Sequence, residues 1–400
     1  MSAKYRLFGS DLSPYSVKVR SYLRYKKLPF DWVSKGFGTE KEFQGLAKSQ
    51  ALPMLVSPNG GIAHDSSLIL SRIEDKVKSP AARPDYPPSQ ALSLLLEDYA
   101  DEWLNKVMFH YRWGTTAAAK ASATRQADQI FAGYDVQNRA DIEKSIAKSM
   151  TGRLKLVGSS KKTAPILEAS FERFLKLLNA HLEHHLFIFG GHPSFADFAL
   201  AGQLSQLLLE EKPGQMIRDT APFVSAWVEF MEEPRAGAPF DEFANVSDTL
   251  LPLIRDEVGA TYVAWTEANA ESIAKKRKTV TVKIGEDEFK QGVQGHSNAS
   301  LDTLKAAFAA TPGDEAIVEF LAAAGLTDTF PLGEPTPEPE AVPEAKEDAT
   351  VADETTEVTP VEETAQASES VPETAVIPDE PDAPSDDAEA DSEDNSKTDA

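Results

Sequence analysis

Apolar and polar positions alternate and then change period along the first part of the chain. Residues 5–8 (YRLF) form a short β-like run closed by Gly9. Tyr15, Val19, Tyr22 and Leu23 then recur at i, i+4, i+7 and i+8, the stripe of an amphipathic helix. Pro14 sits in its first turn, where a missing N–H costs nothing. Lys18, Arg20, Arg24, Lys26 and Lys27 fill the remaining positions, which predicts a basic outer face. Residues 30–33 (FDWV) read as a second strand and 41–48 as a short helix. Met54–Val56 and Ile62–His64 read as two strands joined by the turn sequence PNGG. Pro53 stands at the mouth of the first of these, a place where a sheet tolerates proline. Ile69, Leu70, Ile73 and Val77 make a second helical stripe. The order is βαβ followed by ββα.

The proline-rich run 79–89 (SPAARPDYPPS) breaks this pattern and marks a boundary. Beyond it the periodicity is helical. Leu92, Leu95, Leu96, Tyr99, Trp103 and Val107 form one long stripe, and 121–150 reads as weakly patterned helix. Leu167, Phe171, Phe174, Leu175, Leu178 and Leu182 form another stripe. In PSFADFAL, Ser194 precedes Asp197 by three residues, a capping-box arrangement with Asp in the place of Glu. Further helices are expected over 221–232 and 250–276. Residues 279–285 (TVTVKIG) alternate as a strand, and 301–310 and 315–324 read as helices. The division expected is 1–78, a linker 79–89, a helical domain 90–276, a small extension 279–328 packed on it, and a tail 331–400.

Charge changes this picture only in the tail. The 400-residue chain carries a net −24. Residues 331–400 hold 23 acidic residues and 2 lysines, whereas 1–330 hold 41 acidic and 38 basic ones. The folded part is thus nearly neutral, which argues against a general nucleic-acid binder. The tail has ten prolines and no aromatic residue. It cannot bury enough apolar surface to offset its ordering entropy, and disorder is expected. It reads as a solvating segment or a docking tail for a basic partner that the sequence does not name. The absence of cysteine removes disulfides, zinc–thiolate sites and protein-borne thiol nucleophiles. No run approaches the ~20 apolar residues of a membrane span, and residues 1–11 have no signal-peptide character, so a cytoplasmic location is expected.

A βαβ-ββα unit, a short linker and an all-helical second half resemble the cytosolic glutathione S-transferases. SPYS (13–16), ALPML (51–55), HDSSLI (64–69) and PSFADFAL (193–200) carry the likeness, in the family's order and spacing. It covers about residues 4–276; 279–328 is like the C-terminal extension of some bacterial members. The fold class implied is α/β plus all-α: a thioredoxin-like, glutathione-binding first domain, then a helical domain. Three departures stand out. Asp65 replaces the commoner Glu, Leu52 replaces Val, and serine takes both cysteine positions of the loop. The last argues against glutaredoxin-like chemistry and leaves the serine or tyrosine classes as guides.

The resemblance implies a set of site residues. Ser13, just ahead of the helix that begins at Pro14, would donate its hydroxyl to the glutathione sulfur, favouring the thiolate. A plain helix cap is the rival reading of Ser13. Ser10 is the next candidate, and Tyr5 matches the tyrosine classes more loosely. Pro53 would be cis and would present the Leu52 backbone to the cysteinyl group, as an added strand does. Asp65 would hold the γ-glutamyl ammonium, and Ser66 its carboxylate at a helix N-terminus. Lys35 and Lys41 are candidates for the glycyl carboxylate. His110 and Arg112 either line an electrophile pocket or pack at a helix end. His181, His184 and His185 have zinc-compatible spacing, but read as a helix surface or interface, and no metal site is expected. Ser194 and Asp197 read as structural.

The function this implies is attack of an activated glutathione thiolate on a hydrophobic electrophile, in a homodimer. Glutathione is the co-substrate, and nucleic acid and membrane are not expected partners. The alternative is a non-catalytic binding or assembly module of the same fold. A thiol–disulfide oxidoreductase is set aside by the missing cysteines.

Overall fold

The computed structural model describes residues 4–47 and 49–334. The acidic segment, from residue 335 onward, lies outside the described residues. The first half runs β1 (Tyr5–Gly9), α1 (Pro14–Tyr25), β2 (Phe30–Ser34), α2 (Glu40–Leu46), β3 (Met54–Val56), β4 (Ile62–His64) and α3 (Ser66–Lys76). The strands form one sheet in the order β2-β1-β3-β4. β1 and β2 are parallel, as a helical crossover between them requires. β3 is antiparallel to β1, and β4 to β3. This is the thioredoxin-like arrangement, and a helical domain follows it.

The helical half contains α4 (Pro87–Tyr99), α5 (Asn105–Trp113), α6 (Thr116–Ile130), α7 (Arg139–Gly152), α8 (Ala164–Leu182), α9 (Phe195–Leu208), α10 (Glu211–Thr220), α11 (Pro222–Phe230), α12 (Phe243–Pro252) and α13 (Ala264–Ala274). The hairpin β5 (Thr279–Ile284) and β6 (Asp287–Gly292) follows, then α14 (Gly295–Ala309) and α15 (Glu315–Ala324). The stripe 92–107 is not one regular helix: Ala100–Leu104 is a π-helical segment between α4 and α5. A second π-helical segment, Leu253–Val263, joins α12 to α13. The run read as helix over 121–150 is broken, because α6 ends at Ile130 and α7 begins at Arg139. β6 and α10 were not anticipated. The sequence of β6, DEFKQG, buries only Phe289 and Gln291 to mark an inner face.

The two halves meet along α1 and α9. α9 is apolar nearly all round and lies in the middle of the main core, as a helix with no polar face must. Gly202 lets the two helices approach closely: a Cβ there would lie 2.7 Å from the Pro14 carbonyl oxygen. β5 packs on α13, α14 on α4 and α13, and α15 on α12. Phe289 meets Trp103 with ring centroids 5.2 Å apart, joining the extension to the helical core.

The basic outer face expected for α1 is only partly there. Lys18 and Lys26 are buried. Lys26 pairs with Glu74 at 2.6 Å and donates to the carbonyls of Val77 and Pro80. The charge is tolerated inside because every proton has an acceptor. Lys18 lies four residues before Tyr22, on the buried side of the helix.

Candidate functional site

Strand register gathers the candidate residues. Phe8 pairs with Met54, and Met54 pairs with His64, in one row across the sheet. With strands ~4.8 Å apart, the row spans roughly 10 Å. At its end the chain leaves β1 into the Ser10–Ser13 loop, enters β3 from Leu52–Pro53, and leaves β4 into Asp65 and α3. Three of the four segments quoted for the family likeness, SPYS, ALPML and HDSSLI, therefore share one edge of the sheet. Tyr5 does not join them. It opens β1, four residues from Gly9, or ~13 Å at the usual rise per residue.

Ser13 is the N-cap of α1 and is buried. Its Oγ accepts the Ser16 N–H at 3.3 Å. Its own hydroxyl proton has no acceptor among the described residues, so capping leaves a donor in hand. Ser10 differs: its hydroxyl donates to Gln129 Oε1 at 2.7 Å and accepts the Leu12 N–H at 3.1 Å. Both its donor and an acceptor site are in use. Ser16 is fully buried inside α1.

The Leu52–Pro53 bond is cis. Neither the N–H nor the C=O of Leu52 is bonded among the described residues. Asp65 holds φ +73° as the N-cap of α3, and its carboxylate accepts the Leu68 N–H at 3.1 Å. A non-glycine residue in that region is strained, and Asp65 stands exposed just after the end of β4. Ser66 is buried at the first position of α3. Lys35 Nζ donates to Gln50 Oε1 at 2.7 Å, and burial lowers its pKa against the pull of Glu40. Lys41 lies on α2, near its start.

Beside this edge lies a charged cluster that periodicity did not reveal. Lys18 pairs with Asp101 at 2.6 Å and Glu97 at 2.7 Å, and donates to Ser67 Oγ at 3.0 Å. Burial works against the Lys18 charge, but Asp101 and Glu97 outweigh it and its pKa is raised. Burial pushes Asp101 up to about 6, with Lys18 opposing and Glu97 and Asp65 adding. Tyr15 donates its hydroxyl to the Asp101 carbonyl at 2.9 Å. The cluster joins α1, the start of α3 and the first π-helical segment.

His110 and Arg112, the two candidates for an electrophile pocket, both have partners within the fold. His110 bonds Ser159 at 2.8 Å and faces Glu168 at 3.4 Å, and burial lowers its pKa against Glu168. Arg112 is 2% exposed. It donates to Leu12 O, Gln206 Oε1 and Glu210 Oε1, each at 2.8 Å. It is a strut between α5, α9 and the Ser10–Ser13 loop. Gln206 Nε2 adds a bond to Asp11 O at 3.1 Å. Gln129 and Gln206 escaped the sequence reading because a neutral amide on a helix gives no periodic signal.

Of the histidine triplet, His181 is packed inside, His185 is half-buried and His184 is exposed. His181 is fully buried and bonds Thr249 Oγ1 at 2.9 Å and the Ile188 carbonyl at 3.0 Å. Its pKa is lowered to about 4 by burial, with His185 adding. Among the described residues no helix is long and apolar enough to cross a membrane.

Residues 7–81 match the family model of the glutathione S-transferase N-terminal domain, and residues 121–230 that of the C-terminal domain. Among solved structures, the chain is similar to the beta-etherase LigF from Sphingobium sp. strain SYK-6. That match has 16% identity over 62% of this chain and 98% of that one, with a TM-score of 0.43. A Tau class glutathione S-transferase from mango, Mangifera indica, shows 15% identity over 63% and 100%, with a TM-score of 0.38. A glutathione S-transferase from Methylobacterium radiotolerans, in complex with glutathione sulfonate, shows 20% identity over 60% and 99%, with a TM-score of 0.37. No curated protein matches the chain. Kinship rests on the two family models, which match in order along the chain without overlap: the chain belongs to the glutathione S-transferase family.

Proposed function

We propose that the protein binds glutathione at the end of the sheet, ionises its thiol and transfers it to a hydrophobic electrophile. The register row Phe8–Met54–His64 carries this reading. It supports a site in which an uncommitted hydroxyl, an unbonded stretch of backbone and a helix N-terminus serve one extended tripeptide.

Each part has a physical task. The Leu52 N–H and C=O pair with the cysteinyl backbone, as an added strand does. The start of α3, with Ser66, takes the γ-glutamyl carboxylate through free amides and the helix dipole. Asp65 takes the ammonium. The Ser13 hydroxyl donates to the sulfur, and hydrogen bonding to the charged form lowers a thiol pKa. Ser13 is favoured over Ser10 because its proton is not engaged. The thiolate lone pair then forms the S–C bond as the electrophile's leaving group departs with its electron pair. The thiol proton passes to solvent.

In this reading residues 1–78 hold glutathione and 90–276 shape the co-substrate pocket, in a cytoplasmic homodimer. The test is titration of purified protein with glutathione, following the thiolate ultraviolet band, alongside turnover of an activated aryl halide. A saturable band with turnover is the expected result. Binding without turnover would favour a non-catalytic module, and no complex at millimolar glutathione would end both readings.

A further inference from the structure

Three consecutive loop residues are each held from a different helix of the second half. Gln129 of α6 accepts the Ser10 hydroxyl at 2.7 Å. Gln206 of α9 donates to Asp11 O at 3.1 Å, and Arg112 of α5 donates to Leu12 O at 2.8 Å. Arg112 is itself fixed from behind. Glu210 receives it at 2.8 Å, and Arg125 supports Glu210 at 2.6 Å and Ser122 supports it at 3.3 Å. Gln206 Oε1 fills another of its donors. A fully bonded buried network is rigid, and its free end grips the residue before Ser13.

We propose that Arg112, with Gln206, is a positioning residue for thiol ionisation: it fixes the loop so that the Ser13 hydroxyl stands where the sulfur of bound glutathione lies. The inference rests on the glutathione reading above and replaces a co-substrate contact for Arg112. A donor aimed in advance stabilises charge without reorganising, and an error of a fraction of an ångström in its supports loosens it. Lysine retains the charge but lacks the planar fork that reaches three acceptors at once.

The other charged groups near the loop have their own partners. Asp11 pairs with Arg20, Lys18 with Asp101 and Glu97, and Lys35 faces Gln50 and Glu40. Asp65 faces Asp101 from the start of α3. None of these side-chain pairs includes Arg112 or Gln206, so a shifted thiol titration in either variant reports on the clamp.

The experiment compares wild type, Arg112→Lys and Gln206→Met. It measures the pH dependence of the bound thiolate band, and kcat/KM with glutathione and with an aryl halide. Arg112→Lys is expected to raise the midpoint of thiolate formation by about one pH unit, a tenfold change in ionisation. Its kcat/KM near neutrality falls by about the same factor, and the deficit closes as the pH approaches the ~8.5 of a free thiol. Gln206→Met keeps the Arg112–Leu12 bond and shows a smaller shift of the same sign. It also carries the test if Arg112→Lys does not fold.

An equal loss at every pH with an unmoved midpoint would make the residue merely structural. A raised aryl halide KM with an unchanged thiol titration would return Arg112 to the co-substrate pocket. Either result overturns the proposal while leaving glutathione binding intact. A wild-type protein with no thiolate band would instead remove the reading beneath it.

Discussion

Ser194 donates both its backbone N–H and its hydroxyl to the same carboxylate oxygen of Asp197, at 2.8 and 2.7 Å. The other oxygen accepts the Ile188 N–H at 2.9 Å. One fully buried side chain thus starts the central helix α9 and ties down the loop in front of it. Ser93 of α4 satisfies a further first-turn donor, the Ala196 N–H, at 3.2 Å.

Asp197→Ala strands two buried N–H groups and a hydroxyl. Each unsatisfied group costs about 1–3 kcal/mol, so a loss of roughly 3 kcal/mol or more is expected in urea unfolding. A variant as stable as wild type would show that water replaces the carboxylate.

Glu257 gives stability a pH dependence of definite sign. It sits fully buried in the second π-helical segment, against Arg173 at 2.7 Å and the Tyr99 hydroxyl at 3.1 Å. Burial raises its pKa from 4.5 to about 7, with Arg173 opposing. The folded chain keeps this proton where the unfolded chain has lost it, so the group's contribution falls as pH rises through that window. His181, lowered to about 4, acts in the opposite sense and weakens the fold as pH drops below 6.5. Glu257→Gln leaves His181 in place. Its unfolding free energy should therefore fall less between pH 5 and 7 than that of wild type. Parallel curves would show that Glu257 is ionised throughout.

Lys18→Met leaves Glu97 and Asp101 facing each other without their cation. Breaking one side of a buried ion pair costs about 3–5 kcal/mol. Adding Glu97→Gln and Asp101→Asn should recover much of that loss in the same unfolding measurement. No recovery would mean that Lys18 contributes through packing.

Ser13→Ala removes a cap worth about 1 kcal/mol together with the proposed thiolate donor. The kcat/KM is expected to fall at least tenfold, more than in Ser10→Ala, and Ser13→Thr should restore part of it. Equal rates in wild type and Ser13→Ala would pass the role to another donor.

Gly202→Ala places a Cβ 2.7 Å from the Pro14 carbonyl oxygen. Backbone cannot yield there as a flexible side chain does, and overpacking costs about 1–3 kcal/mol. A lower melting temperature with a weakened apparent glutathione affinity is expected. An unchanged melting temperature would mean that α1 and α9 slide apart freely.

Local rules reach as far as local causes do. Periodicity fixed the order βαβ-ββα and the helical second half, because burial of one face shows in spacing alone. The stop between 79 and 89 and the Ser194–Asp197 box were legible because caps, turns and prolines act on their own neighbours, whereas the candidate positions Ser13, Leu52, Pro53, Asp65 and Ser66 came from the family resemblance. What tertiary structure decided lies between residues far apart in the chain. Register alone brings Phe8, Met54 and His64 into one row. Lys18 turns inward because carboxylates from α4 and the π-helical segment receive it. Arg112 and Gln206 reach back about a hundred and two hundred residues to the loop carbonyls. Hydrogen bonds and charge pairs are short-ranged and directional, so their partners exist only once packing has set the backbones in place.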